Sequence, residues 1–176
     1  MDGAPIQAQA QEQENRTREE KESSMITKDE MLKGRDLQYP DQYTQQISDN
    51  IDKFLSIFNQ VRAAYGKPMT VNSGWRPPAI NEATSNAAKG SNHLWGLAAD
   101  IADPDGSLWK WVLFNLDLMQ KLGLYMEDKR YTPTWVHFQC VKPGSGHRIY
   151  IPSAAPAPAP DIWDGNYDRS KYDLPA

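Results

Sequence analysis

Ser91-Asn92-His93-Leu94-Trp95-Gly96-Leu97-Ala98-Ala99-Asp100 places a histidine and a carboxylate seven residues apart, with mostly small or apolar residues between them. A second histidine follows in Trp135-Val136-His137-Phe138. Two imidazoles and one carboxylate suit a zinc ion. Three protein ligands leave the fourth tetrahedral position open to water, which separates a catalytic zinc site from a closed structural one. The stretch therefore poses a hydrolytic metal site. Its second half, Leu97 to Ala102, is small and apolar, as a buried strand requires.

Working outward, Tyr43 to Tyr65 carries Ile47, Ile51, Phe54, Leu55, Phe58 and Val61 at three- and four-residue spacing, which predicts a helix stopped by Gly66 and Pro68. Thr27-Lys28-Asp29-Glu30 fits a capping box and opens a short helix through Leu32 and Lys33. Met69 to Ser73 reads as a strand, Gly74-Trp75-Arg76-Pro77-Pro78 as a loop, and Ala79 to Ala88 as a short helix. Asp103-Pro104-Asp105-Gly106 is a turn. Ser107 to Leu122 has a helical apolar pattern, with Ser107 expected as its N-cap and Gly123 as its stop. Leu124 to Glu127, Trp135 to Val141 and Arg148 to Ile151 read as strands. The fold class is α+β, a small antiparallel sheet with helices packed on one face.

Residues 1–24 are rich in Gln, Ala and Glu and read as a disordered or partner-ordered arm. The domain is expected over 25–151, followed by a Pro-rich linker and tail over 152–176. The 176 residues suit one domain, and the 39% hydrophobic content implies that it is shorter than the chain. A net charge of −4 without a basic block argues against nucleic acid as a partner. No apolar run approaches the ~20 residues of a membrane span. Met1 to Gln13 lacks a basic start and an apolar run, so the expectation is synthesis in the cytoplasm without a signal peptide, with delivery elsewhere left to another agent. The single cysteine, Cys140, excludes an internal disulfide. Three residues past His137 on a strand, it points to the opposite face and reads as an inert, buried thiol rather than a ligand. Six tryptophans and eight tyrosines suit a packed core or a groove for a polymer, with the core as the default.

Three matches in order, Ser73-Gly74-Trp75-Arg76, the His93 to Asp100 stretch and Trp135-Val136-His137, resemble the M15 peptidases, a family of zinc D-Ala-D-Ala carboxypeptidases and endolysins with the hedgehog/DD-peptidase fold. The resemblance covers roughly residues 43 to 151. Its pattern Ser-x-His-x-x-Gly-x-Ala-x-Asp is met at every fixed position from Ser91 to Asp100. The resemblance implies that His93, Asp100 and His137 are zinc ligands. It implies that Arg76 binds a substrate carboxylate, a task suited to a planar guanidinium. Ser91 matches a site-organising or substrate-contacting serine. Against these stand plainer readings: His93 as a structural histidine, Arg76 as a surface or internally paired arginine, Trp75 and Trp95 as packing residues.

Amide hydrolysis with metal assistance also needs a general base. Family members place an acidic residue three before the last histidine, or a histidine two before it; here those positions hold Thr134 and Trp135. If residues 128–134 form a hairpin loop, Glu127 lies opposite Trp135 and Tyr125 opposite His137, which puts Glu127 on the face of His137. A one-residue slip would select Asp128 instead. The plainer reading makes Glu127 and Asp128 a solvated turn with Lys129 and Arg130. His147, in a glycine turn, reads as a surface residue.

The expected function is zinc-dependent hydrolysis of peptidoglycan stem peptides, as carboxypeptidase or endopeptidase, with Glu127 as the base. Association with a phage virion, through terminal arms that wrap neighbours, accompanies this expectation. The alternative is a catalytically weak module of a virion or larger assembly. A weaker third reading is a hedgehog-like binding domain in which zinc organises a surface.

Overall fold

Ile47, Ile51, Phe54, Leu55, Phe58 and Val61 follow three- and four-residue spacing, and all are buried along the longest helix among the described residues. The computed structural model describes residues 10–12 and 25–152. The expected arm and tail therefore lie, but for residues 10–12 and 152, outside the described residues. Elements in order are α1 (Lys28–Leu32), α2 (Arg35–Gln38), α3 (Gln45–Tyr65), β1 (Val71–Ser73), α4 (Pro78–Ala83), a 3-10 turn (Asn92–Trp95), β2 (Ala98–Ala102), α5 (Ser107–Phe114), α6 (Leu116–Lys121), β3 (Tyr125–Glu127), β4 (Trp135–Gln139) and β5 (Ile149–Tyr150). Among the described residues no helix is long and apolar enough to cross a membrane.

Local chemistry explains most boundaries. Thr27 and Glu30 form the expected capping box at α1, each side chain reaching the other's backbone N–H. The Thr44 side chain accepts from the Ile47 N–H at the start of α3, and Gly66 ends it at φ 68, where a side chain would be strained. The helix expected over Ser107 to Leu122 is in fact two. Asn115 adopts φ −123 and its side-chain amide donates to the Trp111 carbonyl at 2.7 Å, so the backbone ladder breaks between α5 and α6. Ser107 is the first helical residue of α5 rather than its cap. Buried Asp103 instead accepts from the N–H groups of Leu108 (2.9 Å) and Trp109 (3.1 Å), with Lys129 Nζ at 2.6 Å balancing its charge.

The sheet order is β1-β2-β4-β3-β5. Its first three pairings are antiparallel, as expected, whereas β3 and β5 run parallel. The sheet is thus mostly antiparallel, in keeping with the expected α+β class, and the one parallel pair arises because the segment after β4 passes back to the far side of β3. Alternation along the strands decides what each face carries. Ala99, Ile101, Met126, Val136, Phe138 and Ile149 belong to the hydrophobic core. Phe138 meets Phe58 of α3 at 4.8 Å between ring centroids, and Phe58 stacks on Phe54 at 5.3 Å, so α3 covers this face. Asp100, His137, Gln139, Glu127 and Tyr150 occupy the alternate positions and so share the opposite face.

The hairpin register differs from the expected one. Tyr125 opposes Gln139 and Met126 opposes Phe138. Continuing that register puts Glu127 opposite His137 rather than opposite Trp135. The shift is of two residues, and an even shift preserves the face. Asp128 is not part of a solvated turn: it is fully buried, and its carboxylate accepts from Arg130 Nε and Nη2, each at 3.0 Å.

One glycine is required by close approach. A Cβ on Gly74 would collide with the Met31 carbonyl oxygen and lie 2.6 Å from Met31 Cα. The contact lets Trp75 N–H donate to Met31 O at 2.9 Å, which ties α1 to the loop after β1. Gly74→Ala is expected to cost about 3 kcal/mol, the upper end of overpacking. Urea denaturation measures it, and a loss below about 1 kcal/mol would mean that α1 moves aside freely.

Candidate metal centre

Three elements deliver the three candidate ligands. Asp100 on β2 and His137 on β4 are directly opposed across the antiparallel pair. Cross-strand partners on one face hold their side chains within reach of each other. His93 arrives from the 3-10 turn. The Ser91 hydroxyl accepts the His93 N–H at 3.3 Å, and Gly96 closes the turn at φ 70. The glycine is obligatory twice over, since a Cβ there would also sit 2.6 Å from Ile51 Cγ1. The fixed Ser, Gly and Ala positions of the sequence pattern thus have a physical reading: they build the turn and the close-packed strand that present His93 and Asp100 together.

The donor atoms converge. One atom from each of His93, Asp100 and His137 lies within 4.8 Å of the others, and no other such group of three occurs among the described residues. His93 Nε2 is 3.3 Å from His137 Nδ1 and 3.3 Å from Asp100 Oδ1, while His137 Nδ1 is 2.8 Å from Asp100 Oδ1. Ligands bonded to zinc at about 2.0–2.1 Å in a tetrahedron lie about 3.3–3.4 Å apart. Two of the three separations meet that spacing. The third is shorter, an ion-paired hydrogen bond between the Asp100 carboxylate and the His137 imidazole. The residues fit zinc in type, number and spacing.

The outer nitrogens are held as well. His93 Nδ1 donates to the Gly74 carbonyl at 2.7 Å, which leaves Nε2 free as a ligand. His137 Nε2 faces Gln139 Oε1 at 3.3 Å, which leaves Nδ1 free. Gln139 is a hub that sequence reasoning missed. Its Oε1 accepts from Tyr150 OH at 2.7 Å and Asn92 Nδ2 at 2.9 Å, and its Nε2 donates to the Val141 carbonyl at 2.6 Å. It therefore joins the His93 turn, β4 and β5 through one amide. The signal in sequence was only its position, two residues after His137 and so on the same face. Gln139→Met, which removes the acceptor at similar length, is expected to weaken zinc binding by about 10–100-fold. Competition against a chromophoric chelator measures this, and unchanged affinity would deny Gln139 any part in orienting His137.

Burial and mutual charge set the protonation states of the metal-free protein. Burial holds His93 below its ordinary range against the pull of Asp100. Burial also opposes charge on His137, but Glu127 and Asp100 outweigh it and raise its pKa to about 9. Burial acts against ionisation of Asp100 too, yet the two imidazoles hold its carboxyl well below the usual range. The sign follows directly. Between about pH 7 and 9 His93, held below its ordinary range, is neutral, Asp100 is ionised and His137 carries a proton that a metal must displace. Zinc binding is expected to release about one proton there, and its affinity to rise with pH up to about 9. Calorimetric titration in buffers of different ionisation enthalpy counts the proton, and a count of zero would mean His137 is already neutral.

Around this centre stand the other expected residues. Arg76 is only 8% exposed; its N–H donates to the His93 carbonyl at 3.0 Å and its Nη2 to Ser91 Oγ at 3.4 Å. It is neither a surface arginine nor ion-paired in the described structure. Ser91 thus organises both the His93 turn and Arg76. Glu127 is half-buried, with Tyr150 OH 3.4 Å from its Oε1, and its charge acts on His137, Arg76 and Tyr150. Burial, with Glu127 and Asp100 nearby, pushes the Tyr150 phenol far above its ordinary pKa, so it stays a proton-bearing donor. Trp75 is fully buried, as expected, and its indole N–H donates to the Leu94 carbonyl at 3.1 Å. Trp95 corrects the packing expectation, since it is 54% exposed. The Gly96 turn that buries His93 faces Trp95 outward. Thr134 is exposed and Trp135 half-buried at the two positions where family members carry a base. Cys140 is half-buried against the Leu97 carbonyl, burial raises its thiol, and it takes no part in the cluster. His147 is half-buried in its turn and likewise lies outside the cluster.

The family model described as Peptidase M15 matches residues 24–137, more than half of the chain and a span that contains all three converging side chains. No curated protein and no solved structure matches the chain.

Proposed function

This chain belongs to the M15 peptidase family, and from that premise we propose that it is a zinc peptidase that hydrolyses peptidoglycan stem peptides. The observation that carries the proposal is the convergence of His93 Nε2, Asp100 Oδ1 and His137 Nδ1, two of whose three separations match a tetrahedral zinc site. Zinc held there supplies a Lewis acid that acidifies water and polarises an amide carbonyl.

The chain's own residues supply the rest. Glu127, opposite His137 on the same face, accepts the proton of the attacking water at a carboxylate oxygen. It returns that proton to the nitrogen of the leaving amine, so acid and base are one residue in succession. The Tyr150 hydroxyl donates to Gln139 Oε1 at 2.7 Å and lies 3.4 Å from the Glu127 carboxylate, so Glu127 sits at the edge of the polar network that orients the site. Arg76, kept charged in a largely buried position, receives a carboxylate of the peptide and fixes the scissile bond relative to Glu127. Stem peptides, which carry free carboxylates beside D-residues, present that group.

A second reading keeps the fold and the metal but not the turnover: a catalytically weak module carried by a virion or larger assembly. Thr134 and Trp135 favour it, because the family's usual bases are absent from those positions. One experiment separates the two. Purified peptidoglycan is incubated with the zinc-loaded protein and the soluble fragments are analysed by mass spectrometry, with and without a chelator. Release of cleaved stem peptides that the chelator abolishes supports the peptidase and names its bond. Unaltered muropeptides from a protein that holds zinc support the module.

A further inference from the structure

Two arginines converge on the peptide that joins Trp75 to Arg76. Arg76 belongs to it directly. Arg35, the first residue of α2, reaches across the fold and donates from Nη1 to the Trp75 carbonyl. The approach is set by a backbone device: Lys33 and Gly34 both adopt left-handed conformations, φ 54 and 72, which turn the chain sharply between α1 and α2. Lys33 Nζ fastens the same turn to the Val71 carbonyl at 3.0 Å.

Neither guanidinium is paired with a carboxylate among the described residues; the ion pairs there involve Lys28, Lys129, Arg130 and the two clustered histidines. The Nε of Arg76 is buried without a hydrogen-bond partner. A buried donor left unsatisfied is costly, so a site that keeps one is built for an acceptor that comes and goes. Burial and the neighbouring Arg76 charge both weigh against the charge on Arg35, so the two cations lie in each other's field. Asp100 and Glu127 offset Arg76 in part. Zinc at the three-ligand site would commit Asp100 and add positive charge of its own. The loaded protein would then hold two arginines, one largely buried and one half-buried, with no carboxylate ion-paired to either and only Glu127 left to offset Arg76.

We infer that Arg35 and Arg76 form one subsite for a single substrate carboxylate, with Arg76 gripping it from the buried side and Arg35 closing on it from the open side. The inference rests on the peptidase reading and extends it to a residue outside the Ser-Gly-Trp-Arg loop. Arg35 is a specificity residue: it distinguishes a peptide acid from the same peptide with its carboxylate capped as an amide. The forked guanidinium suits a carboxylate held by two cations, and charge-assisted hydrogen bonds are the strong ones.

The test uses the zinc-loaded full chain and two readouts. N-acetyl-D-alanine, which has a carboxylate but no second peptide bond to cleave at that end, is titrated calorimetrically into wild type, Arg35→Gln and Arg35→Lys, with its amide as control. Arg35→Gln is expected to weaken binding of the acid by at least about tenfold and to leave the amide unchanged, with Arg35→Lys between. Hydrolysis of an acetylated stem tripeptide is then compared as acid and as amide, and Arg35→Gln is expected to erase most of the wild type's preference for the acid, through KM more than kcat. Equal loss for acid and amide would mean that Arg35 only supports the Trp75 loop, and would overturn the subsite. Acid binding unaffected by Arg35→Gln would overturn it too. Arg35-dependent acid binding in a protein that hydrolyses neither peptide would uphold the subsite and sink the peptidase reading instead.

Discussion

His93→Ala is expected to yield a protein that retains no stoichiometric zinc and hydrolyses peptide at least about 10⁴-fold more slowly than wild type. The magnitude follows from the several kcal/mol of transition-state stabilisation that a Lewis acid provides, at 1.36 kcal/mol per tenfold in rate. His93 is the ligand whose loss is hardest to make good. It is fully buried, its Nδ1 is committed to Gly74, and its Nε2 is the atom that both other donors face at 3.3 Å. Without it, Asp100 and His137 remain hydrogen-bonded at 2.8 Å, a pair too few for a zinc site. Loss of the side chain also leaves a cavity and an unpaired Gly74 carbonyl, so some stability is lost as well. Metal content by atomic emission, read beside thermal unfolding, separates the two effects. Full zinc occupancy in His93→Ala would remove His93 from the ligand set.

Glu127→Gln, by contrast, is expected to keep its zinc and its fold while kcat falls by about 10²–10⁴-fold, the range of a lost general base. The amide matches the carboxylate in shape and can still meet Tyr150 OH, 3.4 Å away in wild type. It cannot accept a proton from water. The position on β3 opposite His137 is what supports the proposed role, whereas Asp128 is buried and paired with Arg130. Steady-state kinetics with zinc analysis decide the point. A variant with zinc retained and kcat unchanged would show that another group takes the proton.

Much of the centre was legible in sequence because its geometry is local or strand-periodic. The Ser91 to Asp100 pattern encodes a turn and a strand, and alternation along Trp135 to Gln139 places His137 away from Phe138. The long helix was legible from its apolar spacing, and its cap from Thr44 only once the chain's entry was seen. What escaped depends on non-local contacts. Arg35 enters through a lysine in a left-handed conformation, which no propensity favours. Gln139 and Tyr150 meet only because β5 lies parallel to β3, on the far side of the sheet from where a simple meander would put it. The break at Asn115 rests on a side-chain hydrogen bond that competes with a helix that its apolar pattern supports. Alternation does not encode the loop length between β3 and β4, so the register differs from the expected one by two residues, and an even shift leaves Glu127 on the same face.

The central claim is that His93 Nε2, Asp100 Oδ1 and His137 Nδ1 together hold one zinc ion. Anomalous diffraction from crystals of the zinc-loaded protein, collected on either side of the zinc absorption edge, tests it most directly. One strong peak is expected at about 2.0–2.1 Å from those three atoms. A peak on other side chains, or none at this centre in a protein that remains folded and zinc-saturated, would contradict it.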